Sequence, residues 1–171
     1  MRSSRPLTLE QLSATTPMRA RPRAWSLLAT VLVAGACGGE PPAIAAAIQV
    51  VDDGGDTVRL DAPARRIASL IPAQTDIILA LGAADRLIVR TEWDVDPRVA
   101  DVASVGNALA PSVEWLVVQS PDLVIAWTDE QSRTAVARLR GLGIAVYASR
   151  MQTVADVERN VQRVGTLLGL E

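Results

Sequence analysis

Two tryptophans and three carboxylates follow predicted strands of this chain. The strand "RLIVR" leads into "TEWD", which carries Glu92, Trp93 and Asp94, and the strand "DLVIAW" ends in Trp127, two residues before Asp129. Flat aromatic rings at strand ends favour the binding of a large, flat or apolar ligand. The carboxylates could instead act as a general acid and base, although solvated loop acids are far commoner than catalytic pairs. The pattern favours binding over catalysis.

The composition excludes several kinds of catalytic site. The chain contains no histidine, and all 17 of its cationic side chains are arginine. Imidazole acid–base chemistry, serine–histidine triads and histidine-ligated metals are therefore excluded. After Cys37 there is no G-x-G-x-x-G, G-x-x-x-x-G-K-[ST] or G-x-S-x-G motif. A single cysteine excludes an internal disulfide, and a net charge of −2 without a basic stripe argues against nucleic-acid binding.

Residues 1–37 are predicted to be an export signal. Arginines precede an apolar run over residues 24–36 that is too short to span a membrane stably. The run ends in "AGAC", which resembles a bacterial lipobox with Cys37 as the lipidated residue. The alternative is cleavage near residues 43–47, and Met18 is an alternative start of the chain. Either way we expect the protein in the periplasm or on the outer face of the cell envelope.

Strands alternate with helices along the remaining sequence. After a predicted tether at residues 38–47, "IQVVDDGGDTVRL" predicts a β-hairpin around its Asp-Gly-Gly turn. Buried strands are predicted for "RRIASLIP", "RLIVR", "DLVIAW" and "IAVYAS". Helices are predicted for "AQTDIILALG", for Ser112 to about Gln119, for Glu130 to Arg140 and for "TVADVERNVQRVGTLLG". This alternation predicts an α/β fold whose parallel sheet is covered on both faces.

The predicted sheet indicates where a ligand would bind. Parallel sheets bind ligands at the carboxyl ends of their strands. Pro72, Ala73 and Gln74 follow the first strand of the sheet and begin a helix, whose free N–H groups could meet a polar ligand group. Trp93 and Trp127 follow two further strands, so we expect both rings on one edge of the sheet.

The helix that begins at Ser112 is predicted to have one apolar side. Val113, Leu116 and Val117 fall together at the helical period, which predicts that they pack on the sheet. Glu114 and Trp115 are turned from Val113 by about 100° and 200° and are expected to face solvent. A tryptophan beside a carboxylate on a surface is typical of a docking patch. The alternative is an ordinary solvated acid.

Several segments, in order, resemble one known family. They are "RIASLIPAQTDIILALGAADRLIVR", "VASVGNALAPSVEWLVVQSPDLVIAW", "LRGLGIAVYAS" and "TVADVERNVQRVGTLLG". Together they are similar to the periplasmic cobalamin-binding receptors and their helical-backbone relatives, which deliver cobalamin, haem or ferric siderophores to ABC importers. The resemblance implies two α/β lobes joined by a long, stiff helix. Residues 48–171 resemble the N-terminal lobe only, so we expect a sequence truncated before the bridging helix and second lobe.

The resemblance also assigns roles to individual residues. It implies a ligand-binding cleft lined by Pro72, Ala73, Gln74, Glu92, Trp93, Asn107 and Trp127. Trp127 matches a position at which the cobalamin receptor places an aromatic ring against its ligand, and Trp93 lies near another aromatic position. Ala108 stands where that receptor has a further tryptophan. Tyr147 is the lobe's one candidate for an axial haem ligand, so such a ligand is otherwise expected from the second lobe.

Partners follow from the same resemblance. Glu114 matches the glutamate by which the first lobe of the cobalamin receptor docks onto arginines of its permease, and Trp115 would add apolar area there. We expect an ABC permease and its ATPase as partners, a small metal-chelate ligand, a monomeric receptor without enzymatic activity or resident cofactor, and a membrane anchor where Cys37 is lipidated. The alternatives are a small extracytoplasmic α/β enzyme and a sensor or structural lipoprotein using the same half-fold.

Overall fold

A computed structural model describes residues 47–170. The export signal, the lipobox at Cys37 and the tether lie outside these residues, so the predictions for them stay predictions. Within the described residues, no helix is both long and apolar enough to cross a membrane.

The structure begins with the predicted hairpin. Strands β1 (Ile48–Val51) and β2 (Thr57–Leu60) pair antiparallel, with Val50 opposite Val58. The turn between them needs a residue with positive φ, and Gly55 supplies it at +88°. Both valines are buried against the rest of the lobe, so the hairpin packs as part of the core.

Five strands form a parallel sheet. They are β3 (Ile67–Ser69), β4 (Leu87–Arg90), β5 (Ala103–Ser104), β6 (Leu123–Trp127) and β7 (Ala145–Ser149), in the spatial order β5-β4-β3-β6-β7. Every neighbouring pair is parallel. The chain moves outward from β3 to β4 and β5, then crosses to the other side of β3 to form β6 and β7. The order therefore reverses between β3 and β6, which is a topological switch point.

Three α-helices connect strands of the sheet, and a fourth follows β7. They are α1 (Pro72–Ala80), α2 (Val113–Gln119), α3 (Glu130–Gly141) and α4 (Val154–Leu168). Side chains of Ser112, Asp129 and Thr153 accept hydrogen bonds from first-turn amides and thereby fix where α2, α3 and α4 begin. The α/β fold with a parallel sheet is confirmed. The predicted polar loop between β4 and α2 differs in detail, because it contains a 3-10 turn at Pro97–Val99 and the short edge strand β5.

Apolar layers lie on both faces of the sheet. One contains Ile67, Leu123 and Ile125 and packs against the hairpin, α1 and α4, and the other contains Val124 and packs against α2 and α3. Neighbouring residues of β6 enter opposite layers because strand side chains alternate. Helices thus cover both faces and leave the strand ends free.

The amino-terminal half of α4 packs less than its pattern predicts. Val164 is buried, whereas Val154, Val157 and Val161 are 77%, 44% and 37% exposed. Val157 and Val161 line an apolar groove with Ala73 and Ile77 of α1.

Candidate functional site

The carboxyl edge of the sheet brings the predicted loops together. Strand β3 lies between β4 and β6, so the ends of β4 and β6 are about 10 Å apart, twice the spacing of neighbouring strands. Trp93 follows β4 and Trp127 ends β6. The two tryptophans therefore flank the switch point, which is where parallel sheets bind ligands.

Trp127 is partly embedded in the lobe. Its side chain is half-buried and packs against the apolar layer that contains α1 and α4. It also lines two depressions. One has a volume of about 320 Å³ and includes Gly54, Asp56 and Arg133, and the other, of about 170 Å³, includes Arg150 and Met151. One side of the ring is thus anchored in the core, and the rest is open to a ligand.

Trp93 is held differently. Its side chain is 64% exposed, and the turn beneath it is fixed by Asp94, whose Oδ2 accepts hydrogen bonds from the Thr91 amide and hydroxyl, both at 2.7 Å. The Thr91 hydroxyl oxygen in turn accepts from the Trp93 amide at 3.1 Å. The backbone, and not packing of the ring, therefore sets the position of Trp93. Trp93 lines neither of the two depressions beside Trp127.

The loop after β3 presents Ala73, whereas Gln74 is buried. Pro72 occupies the first turn of α1, where its lack of an N–H group costs nothing. The amides of Gln74 and Thr75 both donate to the Ile71 carbonyl, at 2.9 and 3.0 Å, and Ala73 is exposed. The backbone amide of Ala73 is therefore the group of this loop that could make a polar contact with a ligand.

Direct ligand contact by the Gln74 side chain does not fit this arrangement. The side chain is fully buried, and its Nε2 donates to Ser149 Oγ at 2.7 Å and to Asn160 Oδ1 at 2.6 Å. Its Oε1 is the buried side-chain polar atom that lacks a partner among the described residues. Gln74 lies in the first turn of α1, two residues after Pro72. From there its side chain points toward β7 and α4, away from the sheet edge. Sequence spacing alone did not reveal that direction.

Tyr147 belongs to the same buried cluster. Its hydroxyl donates to Asn160 Oδ1 at 2.9 Å, and burial raises its pKa above the ordinary value. Because the side chain is fully buried, Tyr147 cannot reach a ligand at the sheet edge as an axial haem ligand.

Glu92 and Asn107 both lie on the surface near Trp93. The Glu92 amide donates to the Gly106 carbonyl at 3.2 Å, which ties the two loops together. Asn107 Oδ1 accepts from the Leu109 amide at 3.0 Å and so forms an Asx turn. Both side chains are exposed, whereas Ala108 is buried. The predicted position of Glu92 and Asn107 at the edge fits the structure, and their contact with a ligand stays a prediction.

The hairpin turn also reaches this edge, which the sequence analysis missed. Asp52 is 3% exposed, and its Oδ2 accepts from the Ala148 amide at 3.1 Å. Asp53 accepts from the Arg150 amide at 2.8 Å and from Arg163 at 2.6 Å. Burial alone would raise the pKa of Asp53, but these hydrogen bonds and that from Asn160 outweigh it and lower the pKa.

Further residues at this edge could have been predicted in the same way as Trp127, from their place after the carboxyl end of a parallel strand. The residues after β7, Arg150 to Gln152, line the smaller depression beside Trp127. Because β7 is parallel to β6, its carboxyl end lies on the same edge, and the strand-end rule would have identified these residues. The hairpin turn had no such signal, because its position depends on long-range contacts with β7.

The predicted docking residues on α2 differ from each other. Glu114 is 72% exposed, and its Oε1 accepts from Arg138 of α3 at 2.6 Å. A hydrogen bond from its own amide and the pairing with Arg138 lower its pKa. Trp115 was predicted to face solvent, but it is half-buried against the layer beneath α2 and α3. A large indole can lie back along its helix and reach the core edge from an outward position. Val117 was predicted to pack inward and is instead 38% exposed.

Two of the three edge carboxylates, Asp94 and Asp129, serve the local structure. Asp94 holds the turn at Trp93, and Asp129 caps α3 by accepting from the Ser132 amide at 2.6 Å. Within residues 47–170, no three His, Cys, Asp or Glu side chains are grouped as metal ligands would be. The edge offers aromatic rings and hydrogen-bonding groups.

The site is thus an α/β sheet edge with an aromatic residue on either side of its switch point. A profile of the family described as periplasmic binding protein matches residues 67–171. The chain belongs to this family, as the sequence resemblance indicated.

Curated relatives include binding proteins for vitamin B12. The chain is 34% identical over 101 residues to the vitamin B12-binding protein of Vibrio cholerae, covering 58% of this chain and 37% of that protein. It is 28% identical over 169 residues to an uncharacterized ABC transporter substrate-binding lipoprotein of Bacillus subtilis, covering 90% of this chain and 53% of that protein. The chain thus spans between about a third and a half of the length of these relatives.

Solved structures show the same fold. The periplasmic vitamin B12-binding protein BtuF of Vibrio cholerae is 32% identical with a TM-score of 0.55, covering 64% of this chain and 42% of that one. The haem-binding protein HutB of Vibrio cholerae is 25% identical with a TM-score of 0.57, covering 61% and 41%. The haem-binding protein HmuT is 23% identical with a TM-score of 0.63, covering 72% of this chain and 41% of that one. At this identity the similarity shows a shared fold and nothing further. These neighbours are two-lobe periplasmic binding proteins matched over part of their length.

Proposed function

We propose that this chain is part of an extracytoplasmic solute receptor of an ABC importer, and that its sheet edge forms one wall of the ligand cleft. The observation that supports this most strongly is the placement of Trp93 and Trp127 on either side of the switch point. Relatives that bind vitamin B12 or haem add support. The receptor role includes no chemical turnover.

The ligand class that fits this wall is a flat metal chelate. The two indole rings follow strands whose ends are about 10 Å apart and offer apolar faces to a macrocycle. The Ala73 backbone amide and the exposed Glu92 and Asn107 side chains offer hydrogen-bonding groups at its margin. A corrinoid would fit this wall, because its metal needs no side-chain ligand from this lobe. Haem would take an axial ligand from elsewhere, because the lobe has no histidine and Tyr147 is buried. A ferric siderophore is the third candidate.

A retention assay tests the receptor role. The full-length receptor with both lobes, called the full chain below, is titrated with cyanocobalamin, haemin and a ferric hydroxamate siderophore, and each bound compound is then recovered and analysed by mass spectrometry. We expect at least one compound to bind saturably and to be recovered unchanged. Chemical conversion of a compound without retention would instead support the extracytoplasmic enzyme, and no binding of any compound would contradict the receptor proposal.

We further propose that Glu114 docks onto an arginine of the permease. Helix α2 ends near Arg66, at the amino edge of the sheet, and Glu114 lies exposed in its first turn, where it contacts Arg138 in the last turn of α3. A carboxylate there can make a bidentate contact with arginine. The present partner, Arg138, already shows that Glu114 is placed to accept a guanidinium. Trp115 would contribute only the exposed edge of its ring.

Anchoring through Cys37 remains part of the proposal. A lipid on the first residue after cleavage, followed by a tether of about ten residues, would keep the lobe near the permease. Metabolic labelling with a palmitate analogue tests this, with Cys37→Ala as the unlabelled control. Labelling that persists in Cys37→Ala, or is absent from the parent, would contradict it.

A further inference from the structure

Arg90 lies beneath the loop that carries Trp93. It is the last residue of β4, is half-buried, and directs its guanidinium at backbone carbonyls of that loop. Its Nε donates to Val99 at 2.8 Å, and its Nη1 donates to Thr91 at 2.9 Å. Longer contacts join Nη1 to Asp94 at 3.4 Å and Nη2 to Ala100 at 3.2 Å. One side chain thus joins both ends of the loop.

This arrangement depends on the shape of arginine. The guanidinium directs its N–H groups in a fixed planar fork, so three nitrogens can reach carbonyls that face different ways. Lysine would place all its donors on one atom. The carbonyls of Thr91 and Asp94 flank Trp93, whereas those of Val99 and Ala100 belong to the far end of the loop. Arg90 therefore closes the loop on itself.

The contacts of Arg90 matter for Trp93 because its ring is exposed. Because the side chain is 64% exposed, packing holds it only weakly, and its place depends on the backbone of residues 91–94. A loop already fixed in its binding conformation avoids the entropy cost of becoming ordered when a ligand binds.

We propose that Arg90 is a positioning residue for ligand binding, which holds Trp93 at the cleft without touching the ligand. This inference rests on the proposed receptor function. It predicts that the loss of Arg90 weakens ligand binding only because Trp93 is no longer held in place. Arg90→Met removes all four carbonyl contacts, and Arg90→Lys retains a cation with a single donor atom.

Arg66→Met is the matched control. Arg66 also lies next to a strand of the sheet and donates to carbonyls, those of Gln119 at 2.6 Å and Ser120 at 2.9 Å. Its contacts close the end of α2 at the amino edge of the sheet, far from Trp93. Comparing Arg90→Met with Arg66→Met separates a general loss of stability from a loss of ligand positioning.

The experiment measures the affinity of the full chain for cyanocobalamin and haemin, together with hydrogen exchange of the amides of residues 92–96. We expect Arg90→Met to weaken binding about tenfold and to accelerate exchange in this segment, Arg90→Lys to fall between it and the parent, and Arg66→Met to change neither. In the Trp93→Ala background, adding Arg90→Met should cause little further loss of affinity.

The outcomes separate this inference from the receptor proposal. If the parent binds a probe and Arg90→Met binds it equally well, the positioning role is overturned and the receptor role stands. Additive losses in the Trp93→Ala double variant would also overturn it, because Arg90 would then act independently of Trp93. If the parent binds neither probe while Arg90→Met still accelerates exchange, the receptor proposal fails for these two compounds, and the ligand role of Arg90 fails with it.

Discussion

The two tryptophans at the sheet edge are held by different physical means. Trp127 is anchored by packing against the apolar layer that contains α1 and α4. Trp93 is exposed, and the Thr91–Asp94 turn and Arg90 place it through the backbone. A mutation at Trp127 should therefore affect both stability and binding, whereas a mutation at Trp93 should affect binding alone.

Replacing Trp127 by alanine separates these contributions. We expect Trp127→Ala in the full chain to weaken ligand binding by about 1–3 kcal/mol, as for a buried aromatic anchor. Loss of its packed side should lower the free energy of unfolding by about 1–2 kcal/mol. Calorimetric titration and urea denaturation measure the two quantities. Trp115→Ala is the control. Trp115 is also half-buried, but it packs against the apolar layer on the other face of the sheet, so its loss should lower stability without changing ligand affinity. Loss of stability without loss of affinity in Trp127→Ala would assign this ring to the core.

The Asp53 carboxylate predicts a pH dependence of stability. Its pKa in the folded protein is lowered, so between the folded and unfolded pKa values the unfolded chain binds more protons. Its contribution is fully present above a pH of about 4, the ordinary pKa of aspartate, and is lost as the pH falls through the lower, folded pKa.

Asp53→Asn tests this contribution. We expect the variant to be less stable at pH 7 by about 1–3 kcal/mol, because hydrogen bonds from the Arg150 amide and from Arg163 lose their charged acceptor. The difference from the parent should shrink in urea denaturations below pH 4. Asp85→Asn, at an exposed site on the opposite edge, serves as the control. A difference that stays constant from pH 7 to pH 3 would contradict the assignment.

At the scale of secondary-structure elements, α2 and α3 form one surface. Glu114 and Arg138 join them through an exposed ion pair. Such pairs stabilise proteins little, so the glutamate can exchange Arg138 for an arginine of a partner at small cost. The ion pair therefore keeps the Glu114 carboxylate oriented toward a guanidinium, and exchange for a second arginine costs little free energy.

Reversal of this charge tests the docking role. We expect Glu114→Arg to lower uptake by at least tenfold in vesicles that contain the cognate permease, because arginine would face arginine across the contact. Ligand affinity should not change. Asp85→Arg is the control, since it makes the same reversal at an exposed site before β4, outside α2 and α3. Uptake at the parental rate with Glu114→Arg would remove Glu114 from the docking surface.

Element positions were largely predictable because they depend on local signals. The caps at Ser112 and Asp129 mark helix starts in the sequence, and the apolar run before Trp127 marks a buried strand. The short strand β5 carries no apolar run and forms because β4 offers it a partner. The burial of Gln74 was not predictable, since Ser149 and Asn160, its partners, are 75 and 86 residues away in the chain.

For the molecule as a whole, we propose that the described lobe forms one wall of a cleft. Its relatives are about two to three times as long as the matched segments, and clefts bury most of a ligand only when both sides enclose it. We expect residues 47–171 alone to unfold cooperatively and to bind the ligand on the order of a thousandfold more weakly than a receptor with both lobes. Denaturation and equilibrium dialysis measure these properties. Sub-micromolar retention by the lobe alone would contradict a two-walled cleft.

Binding of a metal chelate against Trp93 and Trp127 at the sheet edge is the core of the proposed function. Its most direct test is equilibrium dialysis of cyanocobalamin and haemin against the full chain and the Trp93→Ala/Trp127→Ala double variant, at a temperature where both are folded. We expect saturable binding of at least one chelate with 1:1 stoichiometry, weakened about a hundredfold or more in the double variant. Equal affinity of the parent and the double variant would contradict it, as would a parent that binds neither chelate.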